Sequence, residues 1–73
     1  MNIDQAFNDW TEKALSYKCN FTEEDNKRKY ACIKAYKKFE YILRFQGGEY
    51  ITDKVIFWYN KEDKMLNWKL TYE

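Results

Sequence analysis

The 73-residue chain contains no histidine and no proline, and it has only two cysteines, two glycines and two arginines. Without histidine, nucleophile pairs and general acid–base catalysis that depend on an imidazole are excluded, as are zinc sites with histidine ligands. Two cysteines are too few to close a four-ligand structural zinc site within one chain. We therefore predict that the protein is not an enzyme and that it holds no metal and no cofactor.

The sequence also lacks a long apolar run and an excess of charge of one sign. Its longest apolar run, residues 55–59, is far shorter than the roughly 20 residues of a membrane span. Residues 1–20 contain no apolar h-region, so we expect no signal peptide. Lys and Arg number 13 against 12 Asp and Glu, which is not the basic footprint of a dedicated nucleic-acid binder. These features predict a soluble cytoplasmic protein that does not bind membranes, with Cys19 and Cys32 as free thiols acting as small apolar residues.

Aromatic residues are abundant instead: 3 Trp, 7 Tyr and 5 Phe make up 21% of the chain. A domain of this length buries only about 60% of the surface that its unfolded chain exposes, so several aromatic side chains are expected at the surface. Phe, Tyr, Met, Ile, Asn and Lys, which have AT-rich codons, account for 36 of the 73 residues. This composition predicts an AT-rich genome, a frequent background for small accessory proteins of phages and mobile elements.

The first apolar pattern is that of an amphipathic helix. A stripe at spacings of 4, 3, 4 and 3 predicts a helix from about Ile3 to Lys18, with Asn2 capping its start through a capping box. We expect Asn20 to end this helix in a left-handed conformation and Phe21 to fold back on the last turn. The residues of the stripe are Ile3, Phe7, Trp10, Ala14 and Tyr17.

A second helix is predicted to begin after the capping residue Thr22 and to end near Gln46. Because the two helices are joined by a short loop, they should be antiparallel neighbours, with Ile3, Phe7 and Trp10 against the middle of the second helix around Tyr36 and Cys32. The alternative is a third strand over residues 41–46 that turns at the two glycines, but such a hairpin would mix polar and apolar side chains on both faces. The buried stripe of the second helix comprises Cys32, Tyr36, Phe39 and Leu43.

The last third of the chain reads as a β-hairpin, with apolar runs on either side of a polar turn centred on residues 62 and 63. Strict alternation should place its apolar side chains on one core face. The resulting fold is α+β: two antiparallel helices packed on a C-terminal β-hairpin, in the order α-α-β-β, as a single domain over residues 1–73. The expected cross-strand pairs are Tyr59 with Leu66, Phe57 with Trp68 and Val55 with Leu70.

The opposite face of this two-stranded sheet carries an outward Trp58 beside Ile56. One interpretation is that Trp58 packs on the chain's own tail, on an edge loop or on a missed third strand. The other is that it anchors an interface, because Trp and Tyr are enriched among binding hot spots and both sheet edges are unpaired. The candidate partner-binding residues are Tyr50, Lys54, Ile56, Trp58, Asn67 and Lys69.

The leading hypothesis is a small intracellular inhibitor from a phage or mobile element that sterically occupies a larger host protein or complex, such as a CRISPR nuclease. An alternative is a non-specific nucleic-acid-binding accessory protein, and a third is a self-assembling homodimer that buries Trp58. The second helix carries a basic run that is expected to be a solvated face, or in the nucleic-acid alternative a phosphate-contacting stripe. Its members are Lys27, Arg28, Lys29, Lys34, Lys37 and Lys38.

Overall fold

The computed structural model describes residues 2–71, and its elements follow the chain as two helices and then three strands. Contacts divide the chain into two compact units, one ending at Phe39 and the other beginning at Glu40. The predicted α+β class is confirmed, while the single domain stays a prediction. The elements are α1 (Ile3–Ser16), α2 (Glu23–Gln46), β1 (Glu49–Ile51), β2 (Val55–Asn60) and β3 (Met65–Leu70).

The capping box predicted for α1 is confirmed. The Gln5 amide donates to Asn2 Oδ1 at 2.9 Å, and the Asn2 amide donates to Gln5 Oε1 at 3.1 Å, which satisfies two otherwise unpaired donors at the start of the helix. The helix ends at Ser16, two residues before the predicted end, because Tyr17 is extended at φ −80° and ψ 123°.

The loop between the helices differs from the prediction. Its left-handed residues are Cys19 (φ 57°) and Phe21 (φ 59°) rather than Asn20, and Phe21 is exposed rather than folded back on α1. The physical reason is Asp25, whose buried carboxylate accepts hydrogen bonds from the Lys18 amide at 3.0 Å and the Asn20 amide at 2.7 Å. These two bonds fix the course of the loop.

The start of α2 follows the prediction: the Asp25 amide donates to Thr22 Oγ1 at 3.0 Å, as expected for an N-cap. In the first unit, Trp10 packs against Tyr36 with ring centroids 5.2 Å apart and stacks on Phe39 at 5.6 Å. The predicted neighbourhood of Trp10 and Tyr36 is therefore confirmed. Ala14, a member of the predicted stripe, is exposed instead of buried.

The end of α2 and the start of the sheet depend on two glycines. The Gly47 amide donates to the Leu43 carbonyl at 2.9 Å, and both Gly47 (φ 75°) and Gly48 (φ 74°) occupy the left-handed region that glycine enters without steric cost. The helix therefore continues to Gln46 as predicted, and the alternative of a strand over residues 41–46 is wrong.

The β2–β3 register is the predicted one: Val55 pairs with Leu70, Phe57 with Trp68 and Tyr59 with Leu66. The two-stranded sheet is wrong, however, because β1 pairs antiparallel with β2 and gives the strand order β1-β2-β3. The turn between β1 and β2 is closed by Thr52, whose Oγ1 donates to the Val55 carbonyl at 2.8 Å and accepts from the Val55 amide at 2.9 Å. Strand β2 is thus central and has no free edge over the residues that pair.

Phe57 and Leu66 are buried, and by register they lie on the same face of the sheet. Leu43 of α2, in the same unit, is also buried. The Arg44 guanidinium lies 5.6 Å from the centre of the Tyr59 ring, and Tyr59 shares the face of Phe57. We call the face of the sheet that carries Phe57, Tyr59 and Leu66 the helix face. Trp68 belongs to it by register but is 61% exposed, because β3 is an edge strand; the prediction that all six apolar side chains pack there is therefore wrong for Trp68.

Leu43→Ala should reveal how much the second unit depends on its helix. Leu43 is fully buried, and truncating a buried leucine to alanine costs about 2–5 kcal/mol of unfolding free energy, which urea denaturation followed by circular dichroism would measure. Leu15→Ala is the matched control, since Leu15 is 84% exposed and should change the unfolding free energy by less than about 0.5 kcal/mol. Equal effects of the two substitutions would contradict the assigned burial.

Asp25 should make stability depend on pH at the acid end. Burial by itself raises the pKa of this carboxyl, but the amides of Lys18 and Asn20, the Arg28 guanidinium and the Cys19 amide together lower the pKa below its ordinary value. The stabilisation is complete above the unfolded pKa of about 4 and is lost as the pH falls through the lower folded value.

We expect the urea midpoint of the wild type to fall when the pH is lowered from 5 to 2. Asp25→Asn should lower the urea midpoint at pH 7, because a neutral amide oxygen accepts weaker hydrogen bonds than a carboxylate. It should also flatten the dependence of the midpoint on pH, because asparagine does not titrate. Asp53→Asn, at an exposed turn position, should retain the wild-type profile. An Asp25→Asn profile that still falls as steeply as the wild type would show that another carboxyl is responsible.

Candidate partner-binding site

The alternation of β2 sends Ile56 and Trp58 to the face opposite Phe57 and Tyr59. The neighbouring strands add side chains to this side by register, with Glu49 facing Trp58 from β1 and Asn67 facing it from β3. We call this side of the sheet the outward face. Its members are Glu49, Ile51, Ile56, Trp58, Asn60, Met65, Asn67 and Lys69.

Trp58 is the central side chain of the outward face. It is half-buried, as is Ile56 next to it, because both lie on the central strand between two neighbours. The flanking apolar side chains are more open: Ile51 on β1 is 67% exposed and Met65 on β3 is 51% exposed. The result is an apolar patch that crosses all three strands.

Polar and charged groups border this patch. An open hollow of ≈ 330 Å³ lies beside Trp58, lined by Gly48, Glu49, Tyr59 and Lys69. Among the described residues, neither Glu49 nor Lys69 takes part in an ion pair within 4.0 Å, so both charges can pair with a ligand. The arrangement can hold an apolar or aromatic side chain against the indole while its rim makes polar contacts.

The structure brings together four of the six residues predicted to bind a partner: Ile56, Trp58, Asn67 and Lys69. Tyr50 pairs with Phe57 and so lies on the helix face, which corrects the expectation that it sits beside Trp58. The cause is the unforeseen strand β1, whose register fixes the side on which each of its residues projects.

Lys54 lies in the turn between β1 and β2, and its carbonyl accepts a hydrogen bond from the Thr71 amide at 2.9 Å. It is exposed but is not a member of the outward face. Sequence reasoning missed Ile51 and Met65. The signal for Ile51 was present, since the polar residues 52–54 separate two apolar stretches in the manner of a short hairpin turn.

The basic run predicted on α2 is divided in the structure. Arg28 is partly neutralised, lying 3.9 Å from both Glu24 and Asp25. The lysines further along α2 line a hollow of ≈ 400 Å³ in the first unit, next to an Asp9–Lys13 ion pair on α1. The hollow is lined by Asp9, Lys13, Ala31, Lys34, Ala35, Lys37 and Lys38.

Within residues 2–71, no three side chains of the metal-ligating types cluster closely enough to hold an ion. Neither described helix combines the length and the apolar character needed to cross a membrane. Of the two cysteines, Cys19 is exposed and only Cys32 is partly buried, so the expectation of an apolar packing role fails for Cys19. The chain matches no protein-family model, no curated protein and no solved structure.

Proposed function

We propose that this chain is a small protein-binding module that docks on a larger protein through the outward face of its sheet. The observation that carries the proposal is the apolar patch around Trp58, which crosses three strands and is bordered by Glu49, Asn67 and Lys69. An apolar centre with a polar rim is the usual anatomy of a protein interface.

The half-buried state of Trp58 favours tight binding. Its side chain is already partly enclosed on the central strand, so fixing its rotamers on binding should cost little free energy. Trp is among the residues most enriched in hot spots, where truncation typically costs about 2 kcal/mol or more of binding free energy. The exposed side chains of Ile51 and Met65 add apolar area on both sides.

The finer proposal is that the module is encoded by a phage or mobile element and inhibits a host complex, such as a CRISPR nuclease, by occupying a surface that the complex needs. The support for it is compositional: the chain is short, and 36 of its 73 residues have AT-rich codons. The mechanism is steric, since the outward face offers contact groups without a reacting centre.

The experiment is a capture from nuclease-treated bacterial lysate with tagged wild-type protein and three variants. Ile51→Lys places a charge in the apolar patch at an exposed position, so the fold should survive while capture is reduced at least about tenfold, the equivalent of ~1.4 kcal/mol. Trp58→Ala should abolish capture by removing the anchor. Trp68→Ala, which removes an exposed indole from the helix face, is the matched control and should capture as the wild type does.

Circular dichroism spectra of all four proteins would show whether each variant is folded. Full capture of the same protein by folded Ile51→Lys would reject the outward face as the interface. Loss of capture in Trp68→Ala alone would move the interface to the helix face.

A second candidate function, non-specific binding of single-stranded nucleic acid, is favoured by the lysine hollow of the first unit. Lys34, Lys37 and Lys38 line it without any ion pair among the described residues, and lysines of this kind contact phosphates. The nearby charge of Asp9 is offset by Lys13.

This candidate predicts a characteristic salt dependence. If three lysines each neutralise one phosphate, the logarithm of the association constant for labelled oligo-dT should fall with the logarithm of salt concentration at a slope of about −2. Lys37→Glu should weaken binding, whereas Lys54→Glu in the second unit should leave it nearly unchanged. A slope near zero, or equal losses in both variants, would reject this function.

A further inference from the structure

A second groove, on the helix face of the second unit, differs in chemistry from the outward face. It has a volume of ≈ 610 Å³ and is formed by the last turns of α2, by β2 and by the turn that follows β2. We call it the basic groove. Its lining residues are Glu40, Arg44, Phe45, Tyr59, Lys61 and Lys64.

Arg44 lines this groove beside two aromatic rings. Its guanidinium lies 5.6 Å from the centre of the Tyr59 ring and 6.0 Å from that of Phe45, distances at which a cation is attracted to the ring face. Phe45 is in turn packed against Tyr41, with ring centroids 4.6 Å apart. These ring contacts favour positions of the guanidinium inside the groove.

Arg44 also has no carboxylate partner among the described residues, in contrast to the other arginine of the chain. Arg28 lies 3.9 Å from Glu24 and from Asp25, whereas Arg44 enters no ion pair within 4.0 Å in residues 2–71. The two arginines therefore differ in the feature that matters for ligand binding. Arg28 interacts with carboxylates of its own helix, whereas the N–H donors of the Arg44 guanidinium remain available to a ligand.

The turn after β2 places two lysines at the same groove. The side-chain oxygen of Asn60 accepts hydrogen bonds from the Glu62 amide at 2.9 Å and the Asp63 amide at 3.2 Å, which is the geometry of an Asx turn. Lys64 closes the turn in a left-handed conformation at φ 56°. Because local bonds fix this turn, Lys61 and Lys64 both line the groove.

We propose that the basic groove binds a carboxylate side chain of an acidic peptide segment. Three cationic side chains face one carboxylate, that of Glu40, so the groove carries an excess of two positive charges. A planar guanidinium can donate two parallel hydrogen bonds to a carboxylate, and the lysines add attraction that depends little on geometry. The site is independent of the outward face and does not require the proposed function.

The charge of the groove favours a peptide over a nucleic acid as the occupant. A polyanion gains its affinity from many neutralised phosphates, and two excess charges supply few. One or two carboxylates match this charge.

The two arginines also make the test direct. In a solution NMR spectrum the side-chain Nε–Hε groups give two signals, and the one missing in Arg44→Gln identifies Arg44. The capped peptide hexaglutamate should shift this signal and leave that of Arg28 in place, while capped hexaglutamine should shift neither. Arg44→Gln, followed through the backbone amides of Lys61 and Lys64, should weaken hexaglutamate binding about tenfold or more.

Arg44→Lys keeps the charge and loses the planar fork, so it should also weaken binding. Lys54→Gln is the matched control: it removes an exposed cation of the same unit that does not line the groove, and it should retain wild-type affinity. Equal losses in Arg44→Gln and Lys54→Gln would overturn the proposal, as would shifts of both arginine signals. Hexathymidylate that shifts the Arg44 signal at a lower concentration than hexaglutamate does, at 150 mM salt, would overturn the choice of a peptide.

Discussion

The pairing of β2 on both of its edges is the constraint on which the second half of this protein depends. A strand sends successive side chains to opposite faces, and a strand with two paired neighbours cannot slip without breaking both ladders. The register of β2 with β3 and with β1 therefore assigns Phe57 and Tyr59 to the helix face and Ile56 and Trp58 to the outward face. Both proposed binding sites follow from this division.

The two faces offer different chemistry. The outward face presents an apolar patch around a half-buried indole, with single charges at its border. The helix face ends in a groove lined by two lysines, in which the Arg44 guanidinium lies beside two aromatic rings. A module with these two surfaces can combine apolar anchoring with recognition of acidic groups, and the two contributions can be separated by substitution because they lie on opposite sides of one sheet.

In the first unit, one buried charge has a comparable role. The Asp25 carboxylate is 1% exposed and is satisfied by loop amides and by Arg28, so the loop between the helices is held by charge-assisted bonds rather than by apolar packing. Together with Thr22 as N-cap, it determines where α2 begins. Trp10 of α1 then stacks on Phe39 of α2 and meets the ring of Tyr36 edge to face.

Patterns confined to one element or to one tight hairpin predicted their structures well. The capping box of Asn2, the helix up to Gln46 and the pairing of Phe57 with Trp68 all follow from local spacing, because neighbouring residues alone determine them. The predictions that failed concern residues whose placement depends on groups distant in the sequence. Tyr50 could not be assigned to a face of the sheet without knowing that its strand pairs with β2, and in which register.

The loop conformation at Asn20 was set by a carboxylate five residues later, which no spacing rule indicates. The alternation of apolar residues in β3 predicts that Trp68 is buried, but Trp68 is exposed because β3 lies at the edge of the sheet. Which strand lies at the edge is set by the strand order, not by the sequence of β3 alone. The groove around Arg44 was likewise invisible in the sequence, because it joins a helix end to a turn 17 to 20 residues further along the chain.

The division of side chains between the two faces can be tested most directly by NMR relaxation in the presence of an inert paramagnetic cosolute, which relaxes protons according to their exposure. We expect strong enhancement at the methyl groups of Ile51 and Met65, and intermediate enhancement at Ile56 and at the Trp58 indole. The methyl groups of Leu43 and Leu66 should be protected. Enhancement at Leu43 and Leu66 as strong as at Ile51, together with protection of Ile56, would show that the faces are assigned the wrong way round.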